Sequence, residues 1–464
     1  MDARKPHVVI FPSVGMGHLI PFFEFAKQLA SGHGFSITFI TAKFMVTPSQ
    51  TAYTNSLASS GLSIRFIELP EVELESEEKK AHPLVLIFKV LEKTTGSVEN
   101  ALRTLLSDSS NPISAFITDI FCTATLEVSK KLQVPSYVLY TGSASNLFLI
   151  LYHRTMDAEM TESLKDLDGP VKVPGLPSIP ARDFPDPMQD KSGPFYHLFL
   201  RLSHELLKAD GILINTFQDL ESGSVQALLS GEIDGTRIPS IYPVGPLISS
   251  PESDHHDGSG SLQWLDKQPA ASVLFVSFGS VNFLSADQIA ELALGLEGSG
   301  QRFLWVLPSP PNNASNPDVS ALLPRGFEQR TKDRGLVVTS WAPQVAILAH
   351  PSTGGFVSHC GWNSVLESVS HGVPIIAWPL QAEQRTTAFF LVNDIKTAVR
   401  TKMGADGIVT KEEVEKAAKE LMEGEDGKKK RERARELRES AKAALAEGGS
   451  SRQALAAAAA LFCK

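Results

Sequence analysis

The stretch that decides the fold runs from residue 341 to residue 384 and reads WAPQVAILAHPSTGGFVSHCGWNSVLESVSHGVPIIAWPLQAEQ. Its apolar runs at 355–358 and 373–379 predict buried parallel strands, and polar side chains follow each run. Ligands bind beyond the carboxyl ends of the strands in open α/β sheets. The stretch therefore predicts part of a parallel sheet with a binding site along one edge.

The turn at 358–364, SHCGWNS, leads from the first of these strands into a helix. Its glycine permits a close backbone approach, and the amides of Asn363 and Ser364 at the helix start favour an anion. His359 adds a donor, and Glu367, one turn later on the same face, can accept from ribose hydroxyls. Trp341 follows the run at 335–339, where its indole can stack on a flat ring. Glu383 and Gln384, which follow the last strand, suit the hydroxyls of a sugar.

Outside this stretch the chain alternates apolar runs with helical patterns, which predicts an α/β fold with doubly wound parallel sheets. In the first half the predicted strands are 8–11, 35–41, 113–118, 136–140 and 211–215. In the second half they are 272–278, 302–307, 335–339, 355–358 and 373–379, with Trp305 and Trp378 as core residues. Residues 242–258 are rich in Pro, Ser, Asp and Gly and predict a linker, so we expect a ligand cleft between two sheets.

Length, charge and cysteine content limit the classes of protein to which the chain can belong. A chain of 464 residues is too long for one ordinary core, and its net charge of −9 argues against nucleic acid as a partner. The three cysteines, Cys122, Cys360 and Cys463, form no CxxC pair, which favours a reducing compartment and no metal site. The N-terminus enters a strand without room for a signal peptide, and the apolar tail at 454–462 is too short to span a bilayer. We therefore expect a soluble, cytoplasmic protein without membrane insertion.

The first strand and helix, HVVIFPSVGMGHLIPFFEFAKQLA at 7–30, enclose a Gly-x-Gly turn like the start of a dinucleotide fingerprint. The third glycine is absent, since Ile20 stands in its place, and no acidic residue follows the strand at 35–41. Both features disfavour an NAD(P) oxidoreductase. His18 projects instead from the first turn of the helix, close to where a phosphate would lie.

Taken together, the 44 residues at 341–384 resemble the signature box of the plant UDP-dependent glycosyltransferases, with every landmark in register. The segments GHLIPFFEFA, GILINTF, YPVGPL, LQWLD, VSFGS and RFLWV extend the resemblance along the whole chain. The resemblance implies the GT-B fold, in which two Rossmann-like domains face each other across a cleft. It implies an acceptor-binding domain at 1–245, a linker at 246–262 and a UDP-sugar-binding domain at 263–440. A C-terminal helix at about 441–464 would brace the first domain.

The resemblance also assigns the donor site. It implies that Trp341 stacks on uracil, Gln344 lies beside the uridine and Glu367 holds the ribose. The remaining assignments are His359, Asn363, Ser364 and Ser280 for the diphosphate, and Trp362, Glu383 and Gln384 for the sugar. Glu383 stands where many members have Asp, and Gln384 is typical of members that use glucose.

His18 matches the family's catalytic histidine, and Asp119 matches its partner carboxylate. A neutral imidazole at a helix N-terminus can take a proton from the acceptor, and Asp119 would fix its tautomer and stabilise the imidazolium. Taken alone, Asp119 also suits the N-cap of a helix at Cys122. Direct displacement of UDP by the deprotonated acceptor turns an α-linked donor into a β-glucoside. We expect a monomer that needs no metal and no cofactor besides its co-substrate, UDP-glucose.

The acceptor is left open between two branches of the family. The C-terminal half resembles enzymes that make O-glucosides of small phenols, and the N-terminal half, with TDIFCTATLEVSKKL and VLYTGSASNLF, resembles C-glucosyltransferases of flavonoids. A carbon nucleophile also needs a phenolate, so both bond types stay open, with flavonoids, dihydrochalcones and phenylpropanoids as acceptors. A UDP-sugar-binding protein without transfer is an alternative that the pair of His18 and Asp119 disfavours. A UDP-sugar epimerase is another, but it would not need Trp341 and Gln384.

Overall fold

A computed structural model describes residues 5–76, 78–251, 258–279, 282–307, 322–339 and 341–463 of the chain. Its internal contacts divide the chain into two compact units. The first unit consists of Met1–Ile248 and Ala443–Lys464, and the second consists of Ser249–Lys442. In the described residues, no helix is both long enough and apolar enough to cross a membrane.

The first unit is built on a parallel sheet of seven strands. In chain order, the strands of this unit are β1 (His7–Phe11), β2 (Ser36–Thr41), β3 (Ile64–Glu68), β4 (Ile113–Asp119), β5 (Ser136–Tyr140), β6 (Pro170–Val171), β7 (Ile179–Pro180), β8 (Gly211–Ile214), β9 (Glu232–Ile233), β10 (Thr236–Arg237) and β11 (Ser240–Pro243). The order across the sheet is β11–β8–β5–β4–β1–β2–β3, while β6–β7 and β9–β10 form separate antiparallel pairs. Because β1, β4 and β5 are neighbours, the loops at their carboxyl ends lie side by side.

The second unit is built on a parallel sheet of six strands. These strands are β12 (Val273–Ser277), β13 (Arg302–Val306), β14 (Gly335–Val338), β15 (Thr353–Ser358), β16 (Ile375–Ala377) and β17 (Ala398–Arg400). Their order is β14–β13–β12–β15–β16–β17, so β12 and β15 form the centre of the sheet. The predicted α/β fold with parallel sheets is therefore confirmed.

Helices connect the strands of both sheets. In chain order they are α1 (Met16–Gly32), α2 (Pro48–Ala58), α3 (Pro83–Lys93), α4 (Thr95–Leu106), α5 (Thr125–Lys131), α6 (Ala144–Glu159), α7 (Pro194–Glu205), α8 (Ser222–Leu229), α9 (Ser261–Leu265), α10 (Ala286–Ser299), α11 (Phe327–Thr331), α12 (Gln344–Ala349), α13 (Trp362–His371), α14 (Gln384–Asn393), α15 (Lys411–Glu423), α16 (Glu425–Leu445) and α17 (Ser450–Phe462).

The central strand β1 shows why an uninterrupted apolar run marks a strand of this fold. Val8 and Ile10 pack into one apolar core, and Val9 and Phe11 pack into another. Successive side chains of a strand point to opposite faces, so a sheet covered on both faces needs apolar residues at every position. Helices supply both covers, with α1 and α17 contributing to the first core and α4 to the second.

The apolar C-terminal tail forms α17 and packs against the sheet of the first unit. Its residues Leu455, Ala458 and Phe462 belong to the same apolar core as β1. The Phe462 ring lies 4.7 Å from the Tyr137 ring and 6.1 Å from the Phe35 ring, measured between centroids. Burial of one phenylalanine side chain contributes about 2 kcal/mol, so the tail stabilises the first unit.

Candidate active site

The loop between β1 and α1 presents His18. Gly15, which precedes α1, has a φ of +100°, a conformation that side-chain-bearing residues rarely adopt. Its carbonyl accepts from the N–H groups of His18 at 3.1 Å and Leu19 at 3.0 Å, and the helix thereby begins. His18 consequently lies in the first turn of α1, with its side chain 24% exposed.

Asp119, the last residue of β4, holds the imidazole. His18 Nδ1 lies 2.7 Å from Asp119 Oδ2, and Asp119 is completely buried. The other oxygen, Oδ1, accepts from the N–H of Phe121 at 2.9 Å and caps the short helical turn Ile120–Cys122. Both roles considered for Asp119, partner and cap, are therefore present together. Because a carboxylate only accepts, the network assigns the proton to Nδ1, and the lone pair of the neutral ring lies on Nε2.

Thr141 also contacts the imidazole, and sequence reasoning missed it. It directly follows β5, and its Oγ1 lies 3.3 Å from His18 Nδ1. Its position directly after a predicted strand marks Thr141 as a candidate site residue. The sequence does not show, however, that this strand lies next to β4 in the sheet. Aromatic rings also pack near the imidazole: measured between centroids, the Phe121 ring lies 5.0 Å from the His18 ring, and the Phe88 ring lies 4.8 Å from the Phe121 ring. The dyad thus has a polar side and an aromatic side.

In the second unit, the turn after β15 holds His359 between two glycines. A Cβ atom on Gly361 would lie 2.4 Å from His359 Nε2, and one on Gly279 would lie 2.9 Å from its Cε1. Cys360 has a φ of +67°, and its N–H donates to Ser358 Oγ at 3.1 Å. The glycines therefore make room for an imidazole that packs tightly against the backbone.

His359 is a neutral, buried histidine. It is 8% exposed, and burial lowers its pKa to about 4. Among the residues that the structure describes, its buried Nδ1 has no hydrogen-bond partner. The first turn of α13, with Asn363 and Ser364, begins three residues later, and its dipole favours a negative charge. An anion at this turn fits both the dipole and a neutral imidazole that can donate.

Three residues predicted for the donor site form one hydrogen-bonded group. Gln344 Nε2 donates to Ser364 Oγ at 2.9 Å and to Glu367 Oε2 at 2.7 Å. Trp341 is 59% exposed, whereas Trp305 and Trp378 are at most 1% exposed, as predicted for core residues. An exposed indole three residues before Gln344 suits a flat polar ring.

The loop after β16 is held by the side chain of Gln384. Gln384 Oε1 accepts from the N–H groups of Leu380 at 2.9 Å and Gln381 at 3.0 Å. The amide oxygen is thus engaged within the protein, so the predicted sugar contact of Gln384 would have to use Nε2. Glu383 immediately precedes α14, and Trp362, the first residue of α13, is 5% exposed.

Two further predictions concern the second unit and metals. Ser280, predicted to contact the diphosphate, lies outside the described residues. Over those that are described, no group of three or more His, Cys, Asp or Glu side chains is placed to hold a metal ion.

Known proteins resemble this chain over nearly its whole length. The family model for UDP-glucoronosyl and UDP-glucosyl transferase matches residues 242–437. A hydroquinone glucosyltransferase of Rauvolfia serpentina is 41% identical, and the match covers 99% of this chain and 98% of that protein. An anthocyanidin 5,3-O-glucosyltransferase of a Rosa hybrid cultivar is also 41% identical, with 97% of each chain covered. Phytolacca americana UGT2, solved with UDP-2fluoro-glucose and pterostilbene, superposes with a TM-score of 0.90 at 41% identity, covering 99% of this chain and 100% of that one.

Proposed function

We propose that this chain, which belongs to the UDP-glycosyltransferase family, transfers glucose from UDP-glucose to a plant phenol. The predicted family, the GT-B fold and the class of UDP-glucose-dependent glycosyltransferase are confirmed by relatives that match nearly the whole chain. The phenolic acceptor is supported by the names of those relatives, which refer to hydroquinone, anthocyanidin and pterostilbene.

In the proposed mechanism, His18 is the general base. The observation that carries this role is the 2.7 Å hydrogen bond between Nδ1 and the buried Asp119. It fixes the tautomer in which Nε2 carries the lone pair, and Nε2 takes the phenolic proton. Asp119 stabilises the imidazolium that forms. The phenolate attacks the anomeric carbon as the bond to UDP breaks, so an α-linked donor gives a β-glucoside.

The second unit would hold the donor. Trp341 stacks on uracil, and Gln344 and Glu367 bind the uridine and its ribose, in line with their shared hydrogen bonds. His359, with Asn363, Ser364 and Ser280, stabilises the departing diphosphate through neutral donors and the dipole of α13. Trp362, Glu383 and Gln384 bind the sugar. This route needs no metal ion or further cofactor, and a cytoplasmic monomer stays a prediction from the sequence.

The same base serves two bond types. Deprotonation of a phenol spreads negative charge over the oxygen and the ortho and para ring carbons, and the orientation of the ring decides which atom attacks. A phloroglucinol ring of the flavonoid type offers both a phenolic oxygen and an electron-rich ring carbon. O- and C-glucosylation are therefore two outcomes of one mechanism, and attack through carbon is followed by loss of the ring C–H proton to solvent, which restores the aromatic ring.

Tandem mass spectrometry of the product from UDP-glucose and phloretin tests the proposal, because phloretin offers phenolic oxygens and an electron-rich ring carbon. Loss of a whole hexose would identify an O-glucoside, and cross-ring fragments with the aglycone bond intact would identify a C-glucoside. Hydroquinone and an anthocyanidin are tested alongside. If UDP-glucose binds but none of the three phenols releases UDP, the sugar-binding alternative replaces the transferase.

A further inference from the structure

A carboxylate that the mechanism does not use is buried at the same edge of the first sheet as the dyad. Glu221, directly before α8, is 1% exposed. Its Oε2 accepts from the Ala144 N–H at 2.8 Å and from Thr216 Oγ1 at 2.8 Å. Its Oε1 accepts from the N–H and the Oγ of Ser145, both at 3.0 Å. A buried carboxylate is unfavourable unless such donors compensate the loss of water, so this site is built around the carboxylate.

The donors of Glu221 form the first turn of α6. Ala144 and Ser145 are the first two residues of this 16-residue helix, whose dipole favours a negative charge there. Thr216 lies in the loop after β8, the neighbour of β5 in the sheet. Glu221 therefore joins two adjacent loops at the carboxyl edge of the sheet.

The first turn of α6 directly follows the segment that contacts the base. Thr141, three residues before the helix, places its Oγ1 3.3 Å from His18 Nδ1. Gly142 follows Thr141, and a Cβ atom on Gly142 would lie 2.7 Å from the Tyr140 ring. The Tyr140 ring therefore packs closely against the backbone of this loop. The Tyr140 hydroxyl accepts from Asn146 Nδ2 at 3.1 Å, which ties that ring to α6 as well.

We propose that Glu221 is a positioning residue for the dyad of His18 and Asp119, acting through the first turn of α6 and through Thr141. By fixing this turn, it keeps the Thr141 hydroxyl as a second acceptor beside the Nδ1–H that Asp119 binds. The imidazole then holds its orientation while Nε2 takes the proton. This inference rests on the proposed function of His18 as base, and Glu221 accepts hydrogen bonds from Ala144, Ser145 and Thr216.

The chemistry of the site requires a carboxylate. In Glu221→Gln, one oxygen still accepts, but the new NH2 group faces the N–H of Ala144 or of Ser145. Two donors that face each other in a buried site leave both without an acceptor, so the turn has to shift. The Thr141 hydroxyl would shift with it.

A double-mutant cycle on kcat tests the inference, with Thr141→Val, Glu221→Gln and the double variant. If Glu221 acts through Thr141, we expect each single change to lower kcat about tenfold and the double change to lower it about tenfold as well. The KM for UDP-glucose should change by less than about twofold. The inference would be overturned if the two kcat losses multiply to about a hundredfold in the double variant, or if only the KM for UDP-glucose changes.

Two more variants separate positioning from folding. Asp210→Asn makes the same kind of change, carboxylate to amide, at the opposite end of β5, where Asp210 accepts from the Ser136 N–H at 2.7 Å, and kcat should stay unchanged. If Glu221→Gln does not fold, Gly142→Ala displaces the same loop from the side of Tyr140 and should show the same non-additivity with Thr141→Val. A kcat loss in Asp210→Asn as large as in Glu221→Gln would overturn the inference.

His18→Ala distinguishes this inference from the function on which it rests. If His18→Ala keeps the turnover of the wild type, the base assignment fails, whatever the cycle shows. If His18→Ala is inactive and the cycle is additive, the positioning role of Glu221 fails alone.

Discussion

Each unit holds a histidine beyond the carboxyl end of a central strand, and the two imidazoles have different surroundings. The side chain of His18 in the first unit is 24% exposed and contacts Asp119 and Thr141. His359 in the second unit is 8% exposed, packs between Gly279 and Gly361, and has no hydrogen-bond partner for Nδ1 in the described part of the chain. His18 thus has a carboxylate partner, whereas His359 has none in the described part of the chain.

The partner decides which chemistry an imidazole can perform. Asp119 offers a negative charge to the imidazolium that proton transfer creates, so His18 suits a base. Burial without such a charge lowers the pKa of His359 to about 4, so this ring stays neutral and suits a hydrogen bond to an anion. The comparison predicts that changes at His18 affect turnover, whereas changes at His359 affect donor affinity.

Removal of the base should have the largest effect. We expect His18→Ala to lower kcat by about 10³-fold or more, because general base catalysis contributes roughly 10²- to 10⁴-fold. The affinity for UDP, measured by titration calorimetry, should stay the same. A loss of UDP affinity instead would move His18 to the donor site and remove the contrast with His359.

Asp119→Asn should lower kcat by about 10²-fold, with little change in the KM for UDP-glucose. An asparagine has one oxygen, so if it accepts from the Phe121 N–H, its NH2 group faces His18 Nδ1. Nδ1 must then accept, and the ring proton moves to Nε2, the atom that takes the phenolic proton. The control is Asp210→Asn, and equal losses in the two variants would contradict the role of Asp119 as partner.

The sequence predicted the centres of both sheets better than their edges. Strands buried on both faces, such as β1 and β12, have continuous apolar runs that stand out. The edge strands β3, β11 and β17 were not predicted, because β3 is only partly buried, β11 ends in Pro243 and β17 has three residues. At strand ends the predictions were often a residue or two long: 373–379 shortens to Ile375–Ala377.

For the site, the resemblance supplied His18 and Asp119, but their neighbours needed the structure. Thr141 is 123 residues from His18 along the chain, and Glu221 is 77 residues from Ala144. Periodicity predicts elements, but it does not say which loop side chains meet at a sheet edge. Nor does it say that the Gln384 oxygen faces its own loop.

His359→Ala should weaken UDP binding about tenfold, the usual cost of losing a hydrogen bond to a charged group. The KM for the phenolic acceptor should stay unchanged. His371→Gln is the matched control, since His371 lies at the other end of α13 and bonds to the Glu367 carbonyl at 2.7 Å. Unchanged UDP affinity in His359→Ala would contradict the diphosphate contact.

Replacements of Gln384 should have a smaller effect, on the choice of sugar. Gln384→Glu keeps an oxygen for the N–H groups of Leu380 and Gln381 but removes the Nε2 donor, so it isolates the sugar contact. Gln384→His removes both the amide oxygen and the Nε2 donor. We expect the preference for UDP-glucose over UDP-galactose to fall a few-fold, which corresponds to about 1 kcal/mol in the difference between the two donors. Competition between the two donors measures it. Unchanged selectivity in both variants would count against the contact.

The smallest predicted effect is a dependence of stability on pH in the second unit. Because the pKa of His359 falls from 6.5 to about 4 on folding, the unfolded chain binds more protons between these values. Stability is therefore full above pH 6.5 and is lost as the pH falls toward 4, by about 1 kcal/mol between pH 7.5 and 5.5. All five tryptophans lie in the second unit, so their fluorescence in urea follows its unfolding alone. His359→Ala cannot take up this proton and should lose that part of the pH dependence, whereas an unchanged slope would mean that His359 is not buried neutral.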